Sequence, residues 1–161
     1  SDVCSSDLWP TTVAAARELR ERLHDLKLES FVKTTGGKGL HVVLPIKPTA
    51  WDETKTFCRR VAEAMSAESP DRFTATIKKS ARSGRIFIDY LRNSREATAI
   101  APYSTRARPG ATVAVPLSWE ELGKPDAPNT FTAWAAGTSG SRSPCRMRTG
   151  QATSSPWSSI R

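Results

Sequence analysis

The sequence predicts an α/β protein of the mixed, α+β kind, with helices flanking a sheet. Two stretches, Thr11 to Leu28 and Trp51 to about Ala67, carry apolar residues at helical spacing. Between them, "SFVKTTGGKGLHVVLPI" has two β-rich segments on either side of a glycine turn, and further β-rich runs follow. At 161 residues the chain is long enough for one domain with a substantial core and too short for two comfortable ones.

In the first helix Val13, Ala16, Leu19, Leu23 and Leu26 form the apolar stripe, with Arg and Glu opposite. The hairpin follows, its turn freed by Gly36, Gly37 and Gly39. A second amphipathic helix presents Phe57, Val61, Ala64 and Met65, and Pro70-Asp71 punctuates its end. Strands are predicted at 73–77, 85–91 and 97–103, and again in "ATVAVPL" after the turn signal Pro109-Gly110. "SWEEL" then reads as a capped helix, with Ser118 as N-cap and Glu121 three residues on.

The two ends differ from this middle. Beyond Asp126 there is no acidic residue, and "AAGTSGSRSPCRMRTGQATSSPWSSIR" has no helix or strand period. Residues 133–161 are therefore expected to be a disordered tail of the kind a frameshift leaves. "SDVCSSDL", residues 1–8, is read as a leader foreign to the domain, which leaves 9–132 as the folded part.

Lys and Arg number 24 against 16 Asp and Glu, a formal net charge of +8. Such a balance favours polyanionic partners, nucleic acid or nucleotides among them, although a merely solvated basic surface fits it as well. No apolar run approaches the roughly 20 residues of a membrane span. The expectation is a soluble protein with no membrane partner. The three cysteines, Cys4, Cys58 and Cys145, are too scattered for a disulfide framework or a zinc site.

Chemistry centres on a few residues. "GRIFIDYLRN" sets Asp89 in an apolar run, where a carboxylate must be paired, hydrogen-bonded or bound to a cation. Two readings stay open: an ion pair with Arg85 or Arg92, or a ligand for a divalent cation. In an unbroken strand Arg92 points away from Asp89, so both serve one site only if the strand ends or bends near Leu91. In "TTGGKGLH", the Thr35 hydroxyl, Lys38 and backbone N–H groups suit an anion, yet a plain hairpin turn accounts for the glycines too. His41 lies on a strand with Val43 on its face and Leu40, Val42 and Leu44 opposite; it is either a hydrogen-bonded core residue or a phosphate donor. Arg106 and Arg108 either clamp phosphate or solvate a loop.

Together, "SFVKTTGGKGLHVVLP" and "GRIFIDYLRNSREATAIAPYSTRARPGATVAVPLSWEEL" closely resemble the polymerase domain of bacterial ATP-dependent DNA ligase D, among the archaeo-eukaryotic primase-like polymerases. The resemblance runs from about Trp9 to Thr132. It implies a mixed central sheet flanked by helices, incomplete at its N-terminal side, and a template-dependent nucleotidyltransferase that fills gaps at broken DNA ends in non-homologous end joining. By the same resemblance Asp89 matches a metal-binding aspartate, for Mn2+ or Mg2+. Thr35, Lys38 and His41 match the segment that holds the triphosphate of the incoming nucleoside triphosphate; Arg92 and Arg106 match phosphate-binding residues. Two further metal aspartates of the family precede the position of Trp9 as Asp-x-Asp, a pattern Asp2 and Asp7 do not form. With this pattern incomplete, the chain by itself is expected to be inactive. DNA ends with a 5'-phosphate, the Ku protein and a ligase domain of the same parent chain are the implied partners, and the bacterial cytoplasm, at the nucleoid, is the implied location. Where the family usually has Gly, this sequence has Glu96. A non-catalytic nucleic-acid or nucleotide-binding module remains the alternative.

Overall fold

A computed structural model describes residues 8–107, 109–122, 131–132 and 158–160. Helix α1 is Leu8–Asp25, and it opens on Leu8, which the sequence pattern assigns to the leader. It closes in a turn that satisfies two carbonyls of its last turn: the Lys27 N–H donates to His24 O at 2.8 Å and the Leu28 N–H to Leu23 O at 2.9 Å. Lys27 takes φ 61° to make that turn. The helix therefore stops before Leu26, which the apolar spacing puts in the core and the structure leaves 57% exposed.

Strands β1 (Phe31–Thr34) and β2 (Leu40–Leu44) form the expected antiparallel hairpin, with Lys33 opposite His41 and Thr34 opposite Leu40. Helix α2 is Trp51–Glu68. Its buried stripe is Thr54, Cys58, Ala62 and Met65, offset from the expected one: Ala64 is exposed, and Phe57 and Val61 only flank the core. Burial also pushes the Cys58 thiol up to about 11, so it is an inert packing residue at neutral pH.

The later strands are shorter than their sequence runs. Strands β3 (Phe73–Thr74) and β4 (Ile86–Phe87) pair in parallel around a 3-10 turn at Lys79–Arg82, and residues 97–103 form no strand. "ATVAVPL" divides into β5 (Thr112–Val113) and β6 (Pro116–Leu117). The capping box before α3 (Trp119–Leu122) forms as read: Glu121 N–H donates to Ser118 Oγ at 3.0 Å and Ser118 N–H to Glu121 Oε2 at 2.9 Å. Strand β7 (Phe131–Thr132) pairs with β5, and β8 (Ser158–Ile160), within the stretch read as structureless, pairs with β2. Residues 1–7 and the rest of the tail lie outside the described residues.

The main sheet is antiparallel in the order β6-β1-β2-β8, and among the described residues parallel pairing occurs only in the separate β3-β4 ladder. Its two faces do different things because side chains alternate along a strand. Val32, Leu40, Val42 and Leu44 enter one hydrophobic core with Leu19 and Leu23 of α1 and Cys58, Ala62 and Met65 of α2. Lys33, Thr35 and His41 share the other face. An ion-pair chain ties the outside together: Glu18 meets Arg22 at 3.2 Å and Arg72 at 3.0 Å, and Arg22 reaches Glu68 at 2.5 Å.

Candidate functional site

The non-core face of the hairpin floors a cavity of about 630 Å³ lined by Thr35, His41, Asp89, Arg92, Thr98 to Ile100, and Arg106 with Ala107. Every site residue named from the sequence is on that wall except Lys38, which is exposed at the tip of the turn. Arg108 lies outside the described residues.

Chain geometry places each of them. After β4, the Ile88 N–H still donates to Thr74 O at 3.0 Å, which fixes Ile88 toward the core and the next side chain away from it. That side chain is Asp89. The strand ends there, as the joint use of Asp89 and Arg92 requires: Asp89 Oδ1 accepts the Leu91 N–H at 3.0 Å, and the resulting turn brings Arg92 Nε to 3.6 Å from Asp89 Oδ2. The ion-pair reading is thus observed, with Arg92 as the partner, and the same acid stands at the cavity wall. Its side chain is 20% exposed and that of Arg92 58%.

The glycine turn is braced rather than loose. Gly36 has φ 64°, and a Cβ there would lie 3.2 Å from the Val113 carbonyl carbon and 3.3 Å from Thr112 O. Thr112 Oγ1 donates to Gly36 O at 2.5 Å. Glycine takes both this backbone conformation and this approach of β5 without strain, where any side chain would have to push β5 away. The Thr35 hydroxyl donates to Gly39 O at 3.0 Å, so its proton closes the turn and its lone pairs are what it offers outward. Arg106 Nε donates to Thr35 O at 2.8 Å, which carries the guanidinium to the cavity from a distant loop. His41 is 4% exposed. At Glu96 the backbone is not left-handed, the positive-φ residues other than glycine being Lys27, Tyr103 and Ala111 among the described residues, so this turn does not need the family's glycine.

Sequence reasoning missed Thr98 to Ile100, which enter the wall through a loop, and Lys33 behind them. A lysine inside the alternating run "FVKT" was the available signal. Its ammonium donates to Ile100 O, and Lys33 is 8% exposed.

Chemically the wall offers two guanidinium groups, an imidazole and hydroxyls, donors suited to the oxygens of a polyphosphate. Its single carboxylate does not make a cation site. No group of three or more His, Cys, Asp and Glu able to hold a metal converges among the described residues, so these residues by themselves do not fit a resident Mn2+ or Mg2+. No helix among them is long and apolar enough to cross a membrane.

The α+β fold, with a polar, arginine-bearing cavity on the non-core face of its hairpin, is that of a primase-polymerase domain. The solved polymerase domain of Mycobacterium tuberculosis Ligase D in complex with DNA shares this fold with a TM-score of 0.73 and 36% identity, over 77% of this chain and 43% of that one. Residues 5–142 match the family described as LigD, primase-polymerase domain, and the chain belongs to that family. The multifunctional non-homologous end joining protein LigD of Pseudomonas aeruginosa is 42% identical over 115 residues, 71% of this chain and 14% of that protein. Its counterpart in Mycolicibacterium smegmatis is 40% identical over 112 residues, 69% and 15%. The bifunctional protein of Bacillus subtilis is 35% identical over 133 residues, 81% and 22%. The chain therefore spans a minor part of the length of the relatives it matches.

Proposed function

We propose that this chain carries the nucleotide-binding part of a template-dependent nucleotidyltransferase that adds nucleotides at broken DNA ends during non-homologous end joining. The observation that carries the reading is the convergence of Thr35, His41, Asp89, Arg92 and Arg106, from three separate segments, on one cavity wall. In this reading Arg92, Arg106 and His41 hold the triphosphate through charge-assisted hydrogen bonds, and Lys38 meets it from the mouth of the cavity. Thr35 keeps the turn closed beneath them. Asp89 would be one carboxylate of a Mn2+ or Mg2+ site completed by the Asp-x-Asp pattern of a longer parent. No catalytic step is assigned to the chain alone.

The proposed partners are DNA ends with a 5'-phosphate, the Ku protein and the ligase domain of a longer parent, with the cytoplasmic nucleoid as the place of work. The M. tuberculosis polymerase domain, solved in complex with DNA, supports the DNA part.

The test is titration of a nucleoside triphosphate into the unsubstituted chain and into Arg92→Ala, His41→Ala and Lys38→Ala, with thermal melts alongside. Losing one charged hydrogen bond costs about 1.5 to 3 kcal/mol, so Arg92→Ala should bind roughly tenfold to a hundredfold more weakly. Lys38→Ala, outside the wall, should lose less. Equal affinities in all four proteins would overturn the reading.

A further inference from the structure

We infer that Lys33 is a positioning residue of the site: from beneath, it fixes the Thr98 to Ile100 wall and lends that wall a buried positive charge. The anchoring stands on its own geometry, while the effect on nucleotide rests on the function proposed above.

Three observations converge on it. Lys33 lies on β1 directly opposite His41 on β2, and residues in register share a face of the sheet, so its stem runs beside the imidazole that lines the cavity. It is 8% exposed, which is unusual for lysine, because an ammonium taken from water needs compensating partners. Its Nζ donates to the carbonyl of Ile100, a residue 67 positions away that lines the same cavity. The 98–100 segment has no strand of its own, and Thr98 and Ala99 are exposed. A tie from the sheet to the Ile100 carbonyl sets how far this segment stands from His41 and Asp89. The cavity's width is then controlled by the length of a lysine side chain.

A merely structural lysine, buried for packing, would affect stability everywhere and the wall no more than the rest. Lys33→Met keeps the length and volume and removes the charge and the donor. Hydrogen exchange resolved by peptide should show the amides around Thr98 to Ile100 exchanging at least tenfold faster in Lys33→Met, with α1 and α2 unchanged. Equal exchange in this segment overturns the anchoring. Nucleoside triphosphate affinity should fall at least tenfold in Lys33→Met and return largely in Lys33→Arg, which restores a donor and a charge. Unchanged affinity in Lys33→Met, or no recovery in Lys33→Arg, overturns the link to nucleotide. If even the unsubstituted chain binds no triphosphate, the proposed function fails and hydrogen exchange alone decides the anchoring. Should Lys33→Met not fold, proton-nitrogen spectra of the ammonium groups in the unsubstituted chain decide it: a slowly exchanging Lys33 ammonium is expected, and a rapidly exchanging one overturns the anchor.

Discussion

Arg106 donates its Nε–H to the carbonyl of Thr35 across 71 positions of sequence, at 2.8 Å. One bond thereby fastens a loop to the glycine turn and aims a guanidinium at the cavity that both residues line. A planar fork with five N–H groups can do both; an ammonium on a flexible stem cannot hold the turn and present a second donor in fixed geometry. Arg106→Lys should therefore weaken triphosphate binding about tenfold, a loss near 1.4 kcal/mol, although charge is conserved. Calorimetric titration checks it, and unchanged affinity would show that charge alone suffices.

The pair Asp89 and Arg92 separates a structural from a functional acid. An ion pair with so exposed an arginine contributes at most about 1 kcal/mol, so Asp89→Asn should lower the melting temperature by no more than about 4 °C. In a full-length LigD protein carrying this segment, the same change should nearly abolish nucleotide addition and spare DNA binding, because it alters no phosphate contact. A variant that melts early yet keeps its turnover per folded molecule would make Asp89 only an ion-pair partner.

Lys27 closes α1 in a left-handed conformation that costs an L residue roughly 1 kcal/mol. Glycine adopts it without that cost, and Lys27 is exposed, so little packing is lost. Lys27→Gly should raise stability by at most about 0.6 kcal/mol, the strain relieved less the roughly 0.4 to 1 kcal/mol that the freedom of glycine in the unfolded chain costs. Urea unfolding with an unchanged slope is the measurement; a fall in midpoint would refute the assignment of strain.

The Arg22 guanidinium beside Glu68 holds that carboxyl below its ordinary value of 4.5, first through their hydrogen bond. A carboxyl whose folded pKa is lowered stabilises the fold fully above its unfolded pKa, and that stabilisation is lost as pH falls through the folded value. The difference in melting temperature between the unsubstituted chain and Glu68→Gln should thus be largest at neutral pH and vanish in acid. Glu68 is 58% exposed, so added salt should shrink the difference too. A difference that grows toward acid would contradict this linkage.

What the sequence made legible was what period and chemistry dictate. Alternation placed Leu40, Val42 and Leu44 opposite His41, and an acid in the run "IFIDYL" announced Asp89 before any fold was known. The Ser118 and Glu121 capping box is purely local and formed as read. Errors arose where distant contacts decide. Leu26 continues the helical period, but the Lys27 turn ends the helix before it. The buried stripe of α2 runs through Thr54 and Cys58 rather than Phe57 and Ala64, because packing against elements distant in sequence, β3 among them, and not the helix's own period decides which side is covered. Ile100 is held in the wall through its backbone carbonyl, which any residue carries, so no side-chain pattern could reveal it. Lys38 is exposed at the tip of the turn and does not line the cavity, a placement that depends on contacts distant in sequence.

The short parallel ladder of β3 and β4 also governs which changes in chain length this segment can absorb. Ile88 and Asp89 are adjacent and face opposite ways, one into the core and one into the cavity. Inserting a residue between Ile86 and Ile88 would move Ile88 and Asp89 one place along, sending the isoleucine among arginines and the carboxylate to the core-packed position of Tyr90. Ser83, Gly84 and Arg85 are exposed, and nothing lies within 4 Å of a Cβ at Gly84, so an insertion there only lengthens a bend. Length variation should therefore be accepted at 83–85 and refused from Ile86 to Asp89, a boundary that a library of single-residue insertions would reveal as an abrupt change in the yield of folded protein.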